Sequence, residues 1–109
     1  MRSFLGLAPI LCAGLVAACA GHPVPTDRMA SSEAAIRAAR EVGAERKPQA
    51  ALYLTLAQEG VEEARELIDD GENERAEYVL LRADADAELA IALSREVDMR
   101  ARAMATQRE

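Results

Sequence analysis

Along the C-terminal part of the chain, apolar or small side chains recur at Ala76, Leu80, Ala83, Ala87, Ala90, Ser94, Val97, Ala101 and Met104, in alternating steps of four and three. That spacing returns every one of them to a single face of an α-helix, and a seam sustained this long marks a helix packed lengthwise on another. It predicts a helix over about 73–105. Val79, Ile91 and Leu93 broaden the seam, and Leu81, Ala85, Leu89 and Ala92 open a further face, so residues 79–93 are expected to be covered on two sides. Upstream, Tyr53, Leu54, Ala57, Gly60, Val61, Ala64, Leu67 and Ile68 form a second stripe, with the carboxylates of Glu59, Glu62, Glu63, Glu66, Asp69 and Asp70 off it. This predicts a helix over about 48–70, opened by Pro48 and stopped by Gly71. Gly60 in mid-helix costs about 1 kcal/mol against Ala, and a close helix crossing there is its expected reason. A shorter first helix, about 31–42, shows Ile36, Ala39 and Val42 on one face. Ser31 or Ser32 is its expected N-cap, Gly43 its stop, and the patch Leu52 and Leu56 its expected seat.

The pattern therefore specifies an all-α fold, a three-helix arrangement built on a long antiparallel hairpin that turns at Gly71. Lengths refine it. The second predicted helix spans roughly 34 Å and the third roughly 50 Å at 1.5 Å per residue, so pairing from Gly71 covers the third only to about Arg95. Segment 96–109 then projects, carrying Val97, Ala101 and Met104 along an apolar stripe that has no partner in the hairpin. The candidate partner interface is accordingly Ala87, Ala90, Ser94, Val97, Ala101 and Met104, through which the third helix would meet an envelope protein or a second copy.

The N-terminus follows a different rule. Arg2 precedes an uncharged apolar or small run, Phe4 to Ala18, too short for a membrane span and shaped like a secretory signal. The run ends in Val16-Ala17-Ala18-Cys19, which closely resembles a bacterial lipobox. That resemblance implies cleavage between Ala18 and Cys19, and a diacylglycerol on the Cys19 sulfur. The competing reading is ordinary cleavage after Ala20, with Ala18-Cys19-Ala20 as the recognition site. In the Gram-negative lipoproteins that share this motif, Asp after the Cys favours inner-membrane retention. Ala20 stands there instead, implying an outer-membrane anchor with the domain facing the periplasm. The organisation expected is thus 1–18 signal peptide, 19–30 lipidated Cys and flexible linker with the prolines Pro23 and Pro25, and 31–109 helical domain. His22, in that linker, is expected to be solvated.

Charge and composition narrow the function classes. The formal net charge is −6, and removal of Arg2 with the leader makes the remainder more acidic. A surface of that sign repels phosphate, which argues against nucleic acid as a partner. Trp is absent, and the aromatic residues are Phe4, Tyr53 and Tyr78, so the alanine-rich core is thin and high stability is not expected without a partner. Of the two cysteines, Cys12 leaves with the leader and Cys19 stays unpaired. Asp69, Asp70, Glu72 and Glu74 crowd the turn without the spacing of a calcium loop. Asp84, Asp86 and Glu88 lie on a helix with no dry pocket to shift a carboxyl toward catalysis. No catalytic residue, metal ligand or cofactor is expected.

The segments SEAAIRAAREVGA, then Pro48, then AQEGVEEARELIDDGENERAEYVLLRADADAELA, resemble the exported bacterial family known as domain of unknown function 4398 over about residues 30–105. The resemblance implies two Ala/Glu-rich helices joined at Gly71. Members are often lipoproteins, and some carry a peptidoglycan-binding domain of the OmpA type downstream. Where the family usually has an aromatic and acidic loop before the second helix, this chain has Glu45-Arg46-Lys47-Pro48. The expected role is a membrane-anchored periplasmic helical module, structural or partner-docking and not an enzyme. The alternative is a lipoprotein that holds a small apolar or lipid-like ligand between its helices, beside Tyr53 and Gly60.

Overall fold

The computed structural model of the chain describes residues 21–109, and the expected processing and lipidation positions, Ala18 and Cys19, lie outside them. Among the described residues there are three α-helices and no strand. They are α1 (Thr26–Glu41), α2 (Pro48–Asp69) and α3 (Asn73–Arg108), with a single 3₁₀ turn, Ala44–Arg46, between the first two.

Turn chemistry sets the hairpin. Gly71 sits at φ +77°, which side chains rarely adopt. Its N–H bonds the Ile68 carbonyl at 3.0 Å, and the Glu72 N–H bonds the Leu67 carbonyl at 2.8 Å. These two bonds are the Schellman closure of a helix end, and α3 starts at the next residue. Gly43, at φ +78°, closes α1 in a related way, with its N–H on the Arg40 carbonyl at 2.9 Å. Pro48 occupies the first turn of α2, where its missing N–H leaves no bond unmade.

The two long helices bury matching seams. On α2 these are Ala50, Leu54, Ala57, Val61, Ala64 and Leu67; on α3 they are Ala76, Leu80, Ala83, Ala87, Ala90 and Ser94. Most are alanines, so the backbones come close. A Cβ added at Gly60 would lie 3.0 Å from the Ala83 Cβ and 3.7 Å from the Val79 carbonyl oxygen. The mid-helix glycine is the expected crossing point. Substituting Gly60→Leu should overpack the seam and lower unfolding stability by about 2 kcal/mol or more, read as a fall in urea midpoint. A midpoint equal to that of the parent chain would show that the helices part there without cost.

Three expectations about the first helix need correction. It begins at Thr26, not near Ser31, because Pro25 stands at its cap and accepts the Met29 N–H through its carbonyl at 2.9 Å. The serines are therefore interior and serve as tertiary contacts instead of caps. The buried Ser32 hydroxyl donates to the Leu80 carbonyl at 3.1 Å, and Ser31 donates to Asp84 Oδ2 at 3.2 Å. The flexible linker shortens in consequence. Residues 21–25 have no regular secondary structure and lie beside the start of α3, where the Asn73 side-chain amide donates to the His22 carbonyl at 2.9 Å and the His22 ring meets the Glu77 carboxylate. Finally, α1 does not sit on Leu52 and Leu56. It lies on the opposite side of the hairpin, mainly against α3, with a groove of about 340 Å³ between it and α2 that is lined by Ile36, Arg37, Gln58 and Val61. Arg65 bridges Glu33 of α1 to Glu62 of α2 on that side. Leu52 is left exposed.

Candidate docking surface

Where α2 begins, the hairpin ends and α3 continues alone. Ala50 is the first buried residue of α2 and Ser94 the last of α3, and every residue from Met99 to Glu109 is exposed. The lone segment from Arg95 to Arg108 runs roughly 21 Å. This divides the six residues expected as a partner interface. Ala87, Ala90 and Ser94 are fully buried against α2 and are closed to any partner, which corrects that part of the expectation. Their heptad seam continues outward as Val97, Ala101 and Met104, all exposed.

The base of this segment is held by Lys47, the single lysine of the sequence. Its ammonium donates to the Val42 carbonyl at 3.0 Å and the Ser94 carbonyl at 3.0 Å, and pairs with Asp98 at 2.9 Å. One cation thus ties the end of α1, the start of α2 and the point where α3 emerges. An ammonium is a compact head with three donors, and all three are used; the planar fork of Arg does not match three convergent acceptors. The Lys47 side chain is 15% exposed. Lys47→Met should cost about 2 kcal/mol, since charged hydrogen bonds contribute roughly 1.5–3 kcal/mol each and two carbonyls lose a donor. Lys47→Arg should recover only part of it in the same denaturation measurement. Periodicity overlooked this residue because it lies in a loop, although its being the chain's sole lysine beside twelve arginines was a readable signal.

Beside Lys47, a groove of about 330 Å³ opens between the start of α2 and the root of the projecting segment. Pro48, Ala50, Leu93 and Val97 form its apolar floor, and Arg46 and Arg100 stand at its rim. At Gly60 the two long helices are in close contact, and beside that contact a cavity of about 260 Å³ is lined by Leu56, Gly60, Val79 and Ala83 together with the charged Glu59, Glu63, Arg82 and Asp86. The carboxylates at the turn are solvated, with Arg75 paired to Glu72. No cluster of His, Cys, Asp or Glu able to hold a metal ion occurs among the described residues. None of the described helices is long and apolar enough to cross a membrane.

These features define a small all-α protein, a helical hairpin with a third helix packed on one side and an overhanging end. The chain belongs to the family described as domain of unknown function DUF4398, whose model matches residues 27–106. No curated protein and no solved structure shows detectable similarity to it.

Proposed function

We propose that the chain is a lipoprotein, cleaved between Ala18 and Cys19 and anchored through acylated Cys19 to the outer membrane, facing the periplasm. Its helical domain serves there as a non-catalytic structural or partner-docking module. The lipobox-like Val16-Ala17-Ala18-Cys19 supports the anchor. The observation that carries the docking role is the overhang, in which a heptad seam covered by α2 as far as Ser94 runs on uncovered through Val97, Ala101 and Met104.

The position of His22 supports an orientation as well. Its carbonyl and ring are held by Asn73 and Glu77 at the start of α3, and Cys19 lies three residues earlier. The described chain thus begins beside the hairpin turn, and the overhang lies at the far end of α3, roughly 50 Å away. The alternative, an apolar ligand held between helices beside Tyr53 and Gly60, has less support, because the cavity at Gly60 is ringed by Glu59, Glu63, Arg82 and Asp86 and Tyr53 does not line it.

A photocrosslinking residue at Ala101, introduced into the full chain in cells, tests the role. The expected result is a discrete adduct with an envelope protein, lost when Val97 is also changed to Glu. A chain that gives no adduct at Ala101 or Met104 would remove the docking role.

A further inference from the structure

We propose that Asp98 and Lys47 form a strap across a hinge at Ser94, and that this strap fixes the direction in which the overhang leaves the hairpin. The strap serves the docking role of the overhang, and the proposal rests on that reading. Helix α3 is continuous through Ser94, but its cover is not, since Ser94 is the last residue buried along it. Two successive rungs of the helix ladder are shared at this point. In an α-helix each carbonyl accepts the N–H four residues on. The Ala90 carbonyl also accepts the Ser94 hydroxyl, at 2.8 Å, and the Ser94 carbonyl also accepts the Lys47 ammonium, at 3.0 Å. A serine that bonds back to the carbonyl four residues before it weakens a helix slightly and often bends it. A side chain that enters the ladder is a further cause of kinks. The last supported turn of α3 is therefore a compliant one.

Beyond the hinge, little but the strap holds the segment. Val97 is 48% exposed, and Met99 to Glu109 are exposed throughout. Among the described residues, the Lys47–Asp98 pair at 2.9 Å is the one ion pair that joins residues 95–109 to the rest of the domain. The side-chain hydrogen bonds of the segment, Arg100 to Glu96 and Thr106 to the Arg102 carbonyl, stay within it. The other end of the strap is firmly held. The Lys47 N–H bonds the Ala44 carbonyl at 3.2 Å, its carbonyl accepts the Ala51 N–H at 2.8 Å, and its ammonium also sits on the Val42 carbonyl at 3.0 Å. One ammonium thus grips α3 at the Ser94 carbonyl and again one turn later at Asp98. Two such points fix a direction, where the first alone leaves a pivot. A segment held this way presents Val97, Ala101 and Met104 along one line, and a partner meets it without having to order it first.

Spin labels on genetically encoded keto residues at Glu41 and Gln107, both exposed, test this in the purified full chain without touching either cysteine. Pulsed electron double resonance then reads the distance between the end of α1 and the tip of the overhang. The parent chain should give a narrow distribution. Asp98→Ala should roughly double its width, and Asp98→Glu should recover most of the parental width. Alanine favours helix more than aspartate does, so a role in helix propensity alone would firm the segment instead of loosening it. Adding Ser94→Ala to Asp98→Ala should narrow the distribution again, because the Ala90 carbonyl then serves the ladder alone. Circular dichroism checks that each variant keeps its helices. A width that Asp98→Ala leaves at the parental value in a helical chain, or that Ser94→Ala fails to narrow, overturns the proposal. In cells, Asp98→Ala should lower the yield of the adduct at Ala101 several-fold. If the width responds as stated and no chain forms the adduct, the docking role fails and the strap stands. An adduct with an unresponsive width removes the strap and leaves the docking role.

Discussion

Replacing Cys19 with Ser is expected to remove fatty-acid label from the protein entirely and to take it out of the outer-membrane fraction. The effect would be all-or-none because the proposed modification depends on a single atom. A serine hydroxyl would not stand in for the thiolate proposed to accept a diacylglycerol, and the proposed lipid-dependent cleavage would lose its substrate. Two or more acyl chains hold a protein on a bilayer where one does not, since each buried CH₂ contributes about 0.8 kcal/mol. None of the described helices can replace them as a span. Metabolic labelling with a radioactive fatty acid, followed by membrane fractionation of the parent chain and Cys19→Ser, reads the result directly. Label absent from the parent chain would end the lipoprotein reading and return Ala18-Cys19-Ala20 to the status of an ordinary cleavage site.

Leu80→Ala should be the most destabilising truncation in the helical domain, at about 3 kcal/mol within the usual range for a buried leucine. Leu80 is fully buried, and it is the largest side chain with that property in a core otherwise built mostly of alanines. It also stands where all three helices meet, since its carbonyl receives the Ser32 hydroxyl of α1 while its side chain packs into the α2 seam. Alanine neighbours have no rotamers with which to fill the void. Small domains have total stabilities of only about 5–15 kcal/mol, so the loss is a large fraction. In urea, with a slope of roughly 1–3 kcal/mol per molar, the midpoint should fall by about 1 M or more. Leu52→Ala, on the exposed face, should change stability by about 0.5 kcal/mol or less. Equal losses at the two positions would mean that Leu80 does not hold the helices together.

Several elements were legible in the residues. The alternating steps of four and three on α3 matched its buried face from Ala76 to Ser94, because regular packing on one straight neighbour imposes a regular period. Pro48 and Gly71 marked the bounds of α2 to within a residue, since each excludes the alternative backbone locally. The overhang followed from length alone. The start of α1 was not legible, because two serines read as caps until their tertiary acceptors on α3 are seen. The interface set was half legible: one heptad seam runs from Ala87 to Met104, and nothing in its period shows where α2 stops covering it. The bare back of α3 was visible as apolar spacing but was read as covered.

By itself the sequence determined the class of fold, the three helices and the hairpin turn. These depend on periodicity and on glycine and proline, all of which act over a few residues. Only the tertiary structure decided which side of the hairpin α1 occupies, that residues 21–25 lie against α3, and that Lys47 ties three helices at the root of the overhang. Those outcomes rest on single bonds between distant residues, Ser32 to Leu80, Asn73 to His22 and Lys47 to Ser94, and a lone polar contact leaves no period in the chain. The same decision bared Leu52 and the back of α3, whereas the overhang is bare because α2 begins at Pro48 and covers the α3 seam only to Ser94.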